Sequence, residues 1–247
     1  MTLHYQDLRD ENSNTVVLSH RTLRFKKSDE FVLSRRVPDV GVGKPFQIYN
    51  DLGKRVLDVS VVLLSLPFVL IVVGLLAVFV ARRGGKPFYT QNRVGRGGRT
   101  YKMWKLRSMI LDADDQLEHH LTQNSDARVE WDSTQKLKDD PRITKIGRFL
   151  RRSSMDELPQ LWNVLRGDMS LVGPRPMMPC QTDLYPGTAY YGLRPGISGS
   201  WQVSARNTSS FSERATFDTD YDEKISFGED LRILVATVRV VFRGTGY

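Results

Sequence analysis

The sequence predicts an α+β fold that is mostly helical, with a re-entrant membrane helix-break-helix, a small β-hairpin and several amphipathic interfacial helices. Residues 59–80 carry no charged side chain, a run long enough to form a helix inside a bilayer. Two β-rich runs between positions 88 and 107 enclose a glycine-rich turn, which is the pattern of a hairpin. Later segments repeat apolar residues at helical spacing opposite lysines and arginines, as helices on a membrane surface do.

The composition narrows the classes of function. The chain has 247 residues, a net charge of +8 and a pI near 9.6, which suits a polyanionic partner such as nucleic acid, an anionic lipid surface or a phosphorylated substrate. Its single cysteine, Cys180, excludes an internal disulfide. None of the four histidines lies near the motifs described below. A histidine-based triad or a zinc site is therefore not expected. We expect instead a carboxylate or hydroxyl nucleophile, and any metal to be a hard cation bound by oxygen atoms.

Residues 1–50 predict an amino-terminal extension rather than a folded domain. This part is polar and mixed in charge, and its short apolar runs, such as Val16–Leu18, keep no regular period. Prolines and glycines interrupt its second half. We expect weak order with short strands; a docking arm for a partner is the alternative.

The apolar run in residues 51–86 predicts a re-entrant helix. Basic residues flank it at both ends: Lys54 and Arg55 precede it, and Arg82, Arg83 and Lys86 follow it. Positive flanks favour the cytoplasmic side, and here both flanks favour it. Pro67, in the middle of the run, removes a backbone hydrogen bond and bends a helix. A helix that enters, bends at Pro67 and returns satisfies both flanks, whereas a straight span satisfies one.

The next stretch predicts the hairpin. Its strands are Phe88–Arg93 and Thr100–Arg107, around a turn at Val94–Arg99. Because side chains alternate along a strand, Lys105 and Arg107 share one face. That face is either a solvated basic edge or a set of phosphate contacts, and the spacing leaves both open.

The segments between the hairpin and position 152 predict two helices joined by a loop. Residues 111–124 are rich in helix formers, and residues 125–140 are charged and turn-rich. Pro141 suits the first position of a second helix, which is basic and amphipathic through residue 152. Near the end of the chain, residues 226–243 repeat apolar side chains at helical spacing and predict a core or interfacial helix.

The stretch Arg151–Leu161 contains the candidate site. Two adjacent carboxylates, Asp156 and Glu157, lie a few residues after a pair of arginines, an arrangement that suits a metal and an anionic substrate. Neighbouring helical residues point about 100° apart, so one carboxylate would attack while the other held the metal. The alternative is a capping box, with Ser154 as the N-cap and Glu157 bonding back to it. Arg175 lies between prolines in a stiff loop, which suits bidentate phosphate binding.

Several motifs, in unchanged order over residues 51–247, resemble the bacterial sugar transferases, the monotopic polyprenyl-phosphate phosphoglycosyl transferases. They are Lys54–Asp58, Thr90–Gly95, Asp156–Val164, Gly167–Pro176 and Arg194–Ile197. The resemblance implies a membrane enzyme at the cytoplasmic face of a bacterial inner membrane, with a catalytic domain over residues 87–247. It would move a sugar phosphate from a UDP-sugar, galactose or glucose, to undecaprenyl phosphate, releasing UMP and initiating exopolysaccharide synthesis. We expect membrane lipids as partners and do not expect nucleic acid. A homodimer is left open.

The resemblance also implies roles for individual residues. Asp156 matches the family's nucleophile, which forms a covalent phosphosugar intermediate, and Glu157 matches the ligand of Mg²⁺. Four residues match phosphate-binding positions: Lys105, Arg151, Arg175 and Arg206. Pro67 matches the helix break, although Leu66 stands where the family has a serine before this proline. A non-catalytic, membrane-anchored protein that binds lipid or a partner is the competing interpretation.

Overall fold

The computed structural model describes residues 16–18, 21–23, 49–82, 84–134, 137–204 and 210–242. These residues fall in two compact units, one within 1–39 and one within 40–247. In the first, β1 (Val16–Leu18) pairs antiparallel with β2 (Arg21–Leu23), so the predicted short strand at Val16–Leu18 is confirmed. Nearly all the rest of the predicted extension lies outside the described residues.

The second unit is mostly helical. Its helices are α1 (Lys54–Ala81), α2 (Ala113–Gln123), α3 (Ser125–Thr134), α4 (Lys145–Arg152), α5 (Gln160–Arg166), α6 (Ala189–Gly192), α7 (Ser200–Ser204), α8 (Arg214–Lys224) and α9 (Phe227–Phe242). Its strands are β3 (Phe88–Val94), β4 (Thr100–Leu106), β5 (Ser170–Val172) and β6 (Gly196–Ser198). The mostly helical character and the helix predicted over 226–243 are confirmed.

The apolar helix α1 has 28 residues, about 42 Å at 1.5 Å per residue. Among the described residues, it is the one helix long and apolar enough to cross a membrane, with a mean hydropathy of 3.0. The helix continues through Pro67, so the predicted division into two helices is not observed. Two residues before Pro67, the Ser65 hydroxyl donates to the Val62 carbonyl at 3.1 Å, a bond that supports the backbone near the proline. The re-entrant path stays a prediction.

Charged side chains hold the start of α1 against the rest of the second unit. The Lys54 ammonium lies 2.6 Å from Asp230 of α9 and 2.8 Å from the Tyr221 hydroxyl. Arg55 donates to two carbonyls at the carboxyl end of α5, where the helix dipole favours a cation. The buried Asp58 accepts a hydrogen bond from the backbone N–H of Leu171 at 2.9 Å. These contacts fix the orientation of the first turns of α1 relative to α5, β5 and α9.

The carboxyl end of α1 also packs against the rest of the second unit. Val80 is buried in an apolar cluster with Leu106 of β4 and Leu150 of α4. The Arg107 guanidinium donates to the carbonyls of Val80 and Gly84. Most large side chains between the two ends are exposed, Leu64 to 83% and Phe68 to 72%. The helix therefore contacts the unit at its ends and presents an apolar middle.

We expect Lys54→Met to lower the free energy of unfolding by about 3 kcal/mol, because it leaves Asp230 charged and fully buried without its cation. Denaturant unfolding in detergent, followed by tryptophan fluorescence, measures this. Lys102→Met, at an exposed lysine of β4, is the control and should match the wild type. The double variant Lys54→Met/Asp230→Asn should recover part of the lost stability. If Lys54→Met is as stable as the wild type, the ion pair between Lys54 and Asp230 does not stabilise the attachment of α1.

The predicted hairpin is confirmed. β3 and β4 pair antiparallel from Phe88–Leu106 to Val94–Thr100, which places Tyr89 opposite Lys105. Gly97 and Gly98 in the turn have positive φ angles of 69° and 78°, a conformation that glycine adopts without strain. The hairpin projects Lys105 towards the turn that follows α4.

Two predictions between positions 125 and 152 are wrong. The expected loop over 125–140 contains α3, because Ala127 packs with Leu121 and Leu137 in a small core. Its first turn is capped by Asn124, whose side chain accepts from Ala127 N–H at 3.0 Å. Packing of these apolar side chains stabilises a helix in a segment whose many charged residues predicted a loop.

The helix expected from Pro141 begins later, at Lys145. The carboxylate of Asp140 accepts from the backbone and guanidinium of Arg142 at 2.7–3.0 Å, which holds this segment as a turn. Thr144 then caps α4, accepting from Gly147 N–H at 2.9 Å. Pro141 therefore belongs to the turn that precedes the cap.

A short parallel pair supports the loop that carries Arg175. β5 and β6 pair between α5 and α9, and Gly173 N–H donates to Ser198 O at 2.9 Å while Gly196 N–H donates to Pro174 O at 2.8 Å. A Cβ on Gly196 would overlap the backbone of Gly173, so this close approach requires glycine. This strand pair was not predicted from the sequence.

Candidate active site

The candidate site lies where the chain turns sharply after α4. Ser154 adopts the left-handed conformation, with φ 56°, and its side chain makes no capping hydrogen bond. The capping-box interpretation is therefore wrong. A 3₁₀ turn over Met155–Glu157 follows, and α5 begins only after Pro159, the distortion expected from that proline. The turn directs both carboxylates towards β4.

Lys105 lies between the two carboxylates. Its ammonium nitrogen is 2.9 Å from Glu157 Oε1 and 3.7 Å from Asp156 Oδ2. Asp156 is 6% exposed, whereas the Glu157 side chain is 21% exposed. The two acids therefore meet at one cation but differ in their access to solvent.

The electrostatics of this group follow from burial and mutual charge. Burial raises the pKa of Asp156; Lys105 and Arg151 oppose that rise, and Glu157 adds to it. Burial alone would lower the pKa of Lys105, but Glu157 and Asp156 raise it above its ordinary value. The lysine is thus held as a cation while the aspartate is a stronger base than an exposed one.

Two of the predicted phosphate-binding arginines are placed around this pair. The Nε of Arg151, in the last turn of α4, donates to the Ser108 hydroxyl at 2.9 Å. The Arg175 guanidinium lies 5.9 Å from the centre of the Trp201 ring, and Arg175 lines the same cleft as Glu157. Arg206 lies outside the described residues.

Two further arginines belong to this region and were not predicted as site residues. Arg93 of β3 donates to Pro176 O at 3.0 Å, and Arg214 of α8 lies between the rings of Trp201 and Phe211, at 4.2 and 4.4 Å. Burial lowers the pKa of both side chains, and the charge of Arg175 lowers it further, to about 10 for Arg214. We call Arg93, Arg175 and Arg214 the arginine cluster.

The arginine cluster has the properties of an anion site. The Nε atoms of Arg93 and Arg214 are buried and have no hydrogen-bond partner among the described residues. The carboxylate near Arg214 is Asp218, which is buried and accepts from the Tyr185 hydroxyl at 2.9 Å. Burial raises the pKa of Asp218 to about 7, so it neutralises the cluster only in part near neutral pH. A bound phosphate would relieve the repulsion among these arginines.

The acids of the site fit a magnesium ion that arrives with a phosphorylated substrate. In the part of the chain that the structure describes, no group of three or more His, Cys, Asp or Glu side chains could hold a metal. Mg²⁺ commonly takes one or two protein carboxylates and completes its shell with water and substrate phosphates. Glu157, the more exposed of the two acids, provides one such carboxylate beside the arginines.

The fold and the site define a membrane-associated class of protein, with an apolar helix anchored on a unit whose carboxylate pair is surrounded by cations. The chain belongs to the bacterial sugar transferase family, which it matches over residues 49–244. The resemblance seen in its motifs is therefore confirmed.

Several relatives in this family are named for their activity. The chain is 45% identical to a UDP-galactose-lipid carrier transferase of Erwinia amylovora, over 78% of this chain and 41% of that protein. It is 39% identical to an undecaprenyl-phosphate galactose phosphotransferase of Salmonella typhimurium, over 95% of this chain and 50% of that protein. It is 41% identical to the exopolysaccharide production protein ExoY of Sinorhizobium fredii, over 80% of this chain and 88% of that protein. The chain thus spans half or less of the first two relatives and most of the third.

Proposed function

We propose that this chain is a phosphoglycosyl transferase that moves a sugar phosphate from a UDP-sugar to undecaprenyl phosphate and so initiates exopolysaccharide synthesis. The observation that supports it most directly is a buried Asp156 beside Lys105, in a chain of the sugar transferase family. The names of the relatives described above favour galactose as the sugar, and glucose is the alternative. A homodimer stays a prediction.

In the first step, the arginine cluster binds the diphosphate of the donor and offsets its charge. A carboxylate oxygen of Asp156 attacks the phosphorus next to the sugar. The bond from that phosphorus to the bridging oxygen breaks, and UMP leaves with the electron pair. Lys105 keeps Asp156 ionised and oriented for the attack.

In the second step, an oxygen of the lipid phosphate attacks the same phosphorus. The bond to Asp156 breaks and the carboxylate is restored. The acceptor phosphate is already ionised at neutral pH, so neither step needs a histidine base. Splitting the transfer in two predicts ping-pong kinetics.

Glu157 would hold Mg²⁺, which leaves Asp156 to attack. When bound, Mg²⁺ offsets the negative charge of the phosphoryl oxygens and makes the phosphorus more electrophilic. Arg151 and Arg175 add positive charge near the carboxylate pair and Lys105, and we assign them to phosphate binding together with Arg206.

We place the protein at the cytoplasmic face of the inner membrane, with α1 entering and leaving the bilayer on the same side. Both ends of α1 contact one compact unit, Lys54 at the start and Val80 at the end. A straight span would separate its ends by about 30 Å of hydrocarbon. Pro67 is the position where such a path would bend.

Incubation of the full chain with a panel of UDP-sugars and undecaprenyl phosphate in nanodiscs tests the proposal. We expect release of UMP with one sugar, transfer of labelled sugar phosphate to the lipid, and loss of both on chelation of Mg²⁺ with recovery on its return. The matched control is the same panel of GDP-sugars, which should give no release. A protein that binds these membranes but releases no UMP with any UDP-sugar would favour the non-catalytic, anchored interpretation.

A further inference from the structure

A mostly apolar cleft of about 240 Å³ lies beside the carboxylate pair. Its walls come from α5, β6, α7 and α9, with Leu161, Val203, Val240 and Val241 among the lining side chains. Glu157 and Arg175 also line it. The cleft therefore combines a hydrocarbon-like wall with two charged groups of the candidate site.

The polar hydroxyls in this wall are largely paired within the protein. The hydroxyls of Ser198 and Thr237 bond to each other, and Thr237 also donates to the Ile233 carbonyl at 2.7 Å. A sugar or a nucleotide base in this space would bury hydroxyl and amide groups against apolar side chains, at a cost of a few kcal/mol per unpaired group. A hydrocarbon chain buries no such group.

Two helices that wall the cleft, α5 and α9, also carry exposed apolar side chains. Trp162, next to Leu161 in α5, is 55% exposed, and Val238, in the same turns of α9 as Thr237 and Val241, is 54% exposed. Exposed large apolar side chains on two helices that wall one cleft are typical of a membrane or partner surface. A chain that lies in the bilayer could enter the cleft here without crossing water.

We propose that this cleft seats the first isoprene units of the polyprenyl phosphate acceptor, with the acceptor phosphate beside Arg175 and Glu157; this rests on the proposed function. The size agrees: at about 30 Å³ for a water-sized group, the cleft holds about eight carbon atoms, or between one and two isoprene units. The charge agrees as well, because the cation Arg175 lines the cleft and Lys105, 2.9 Å from Glu157, offsets the repulsion between that carboxylate and a phosphate.

The proposal separates the two substrates. Arg93 and Arg214 do not line the cleft, whereas Arg175 belongs both to the cleft and to the arginine cluster. The donor diphosphate and the acceptor phosphate would thus bind on different sides of Arg175. The hydrocarbon is as soluble in lipid as in the cleft, so the cleft aligns the acceptor phosphate more than it adds affinity.

The two half-reactions test this assignment. In Val241→Trp the cleft is filled, so we expect a normal burst of UMP without acceptor and an at least tenfold lower kcat/KM for undecaprenyl phosphate. Val241→Asp, which adds a charge without bulk, should give the same pattern. Val129→Trp, at a valine of α3 that is 70% exposed, is the matched control and should resemble the wild type in both steps. The intact burst also shows that each variant is folded.

Two results would overturn the assignment. One is transfer to undecaprenyl phosphate at the wild-type rate by both Val241 variants. The other is an equal loss of burst and transfer, which would assign the cleft to the donor; the Gln202 amide oxygen, buried without a partner among the described residues, would then accept from a sugar hydroxyl. A wild-type protein with no burst for any UDP-sugar is a different outcome, because it removes the proposed function itself.

Discussion

Asp156→Asn is expected to reduce UMP release at least about 10³-fold, because the amide cannot attack phosphorus and the remaining site only binds and polarises the donor. Labelled sugar phosphate should be trapped on the wild-type protein in the absence of acceptor and not on the variant. UMP release from a single turnover, together with the label retained after denaturation, measures both effects.

The pH dependence gives an independent reading of the same residue. Burial raises the pKa of Asp156, so its ionised fraction falls at a higher pH than that of an exposed aspartate. The rate of the first half-reaction should therefore decline on the acidic side above the ordinary aspartate range. The same shift means that ionising Asp156 opposes folding, so stability associated with this group is lost as pH rises through its raised pKa.

The control for Asp156→Asn is Asp139→Asn, which changes an exposed carboxylate and should leave the rate unchanged. Asp156→Asn should fold at least as well as the wild type, since it removes a buried charge and leaves Lys105 its closer partner, Glu157. A folded Asp156→Asn protein that keeps most of the UMP burst would show that another group attacks the donor.

Local sequence was sufficient where one segment determines its own structure. The hairpin follows from alternation around Gly97 and Gly98, which have positive φ angles. It failed for α3, whose existence depends on packing against Leu121 and Leu137. It also failed for the capping box, because the left-handed Ser154 turns its side chain away from that role.

The site was predictable only in part. The adjacent acids and the arginine between prolines are visible in the sequence, and the structure brings Lys105, Arg151 and Arg175 to them. The arginine cluster was not visible, because Arg93 and Arg214 come from β3 and α8 and meet only through the fold. Arg93 lies within a family motif, which was a signal, whereas Arg214 had none. The cleft could not be predicted from local sequence either, because its lining residues come from α5 and α9, which are far apart in the chain.

The position of Lys105 gives the last prediction. The resemblance implies that it binds phosphate, but its ammonium lies between the two carboxylates. Lys105→Met would leave Asp156 and Glu157 adjacent without their closest cation, and an opposite charge at such distances typically lowers a carboxyl pKa by about 1–3 units. We therefore expect the acidic side of the first half-reaction's pH profile to move upward by about that amount, so that rate lost on the acidic side is recovered as the pH is raised. Lys102→Met, on the same strand and exposed, should keep the wild-type profile. An unshifted profile with a raised KM for the UDP-sugar would instead assign Lys105 to the donor phosphate, since loss of a binding contact changes KM without moving the titration of Asp156.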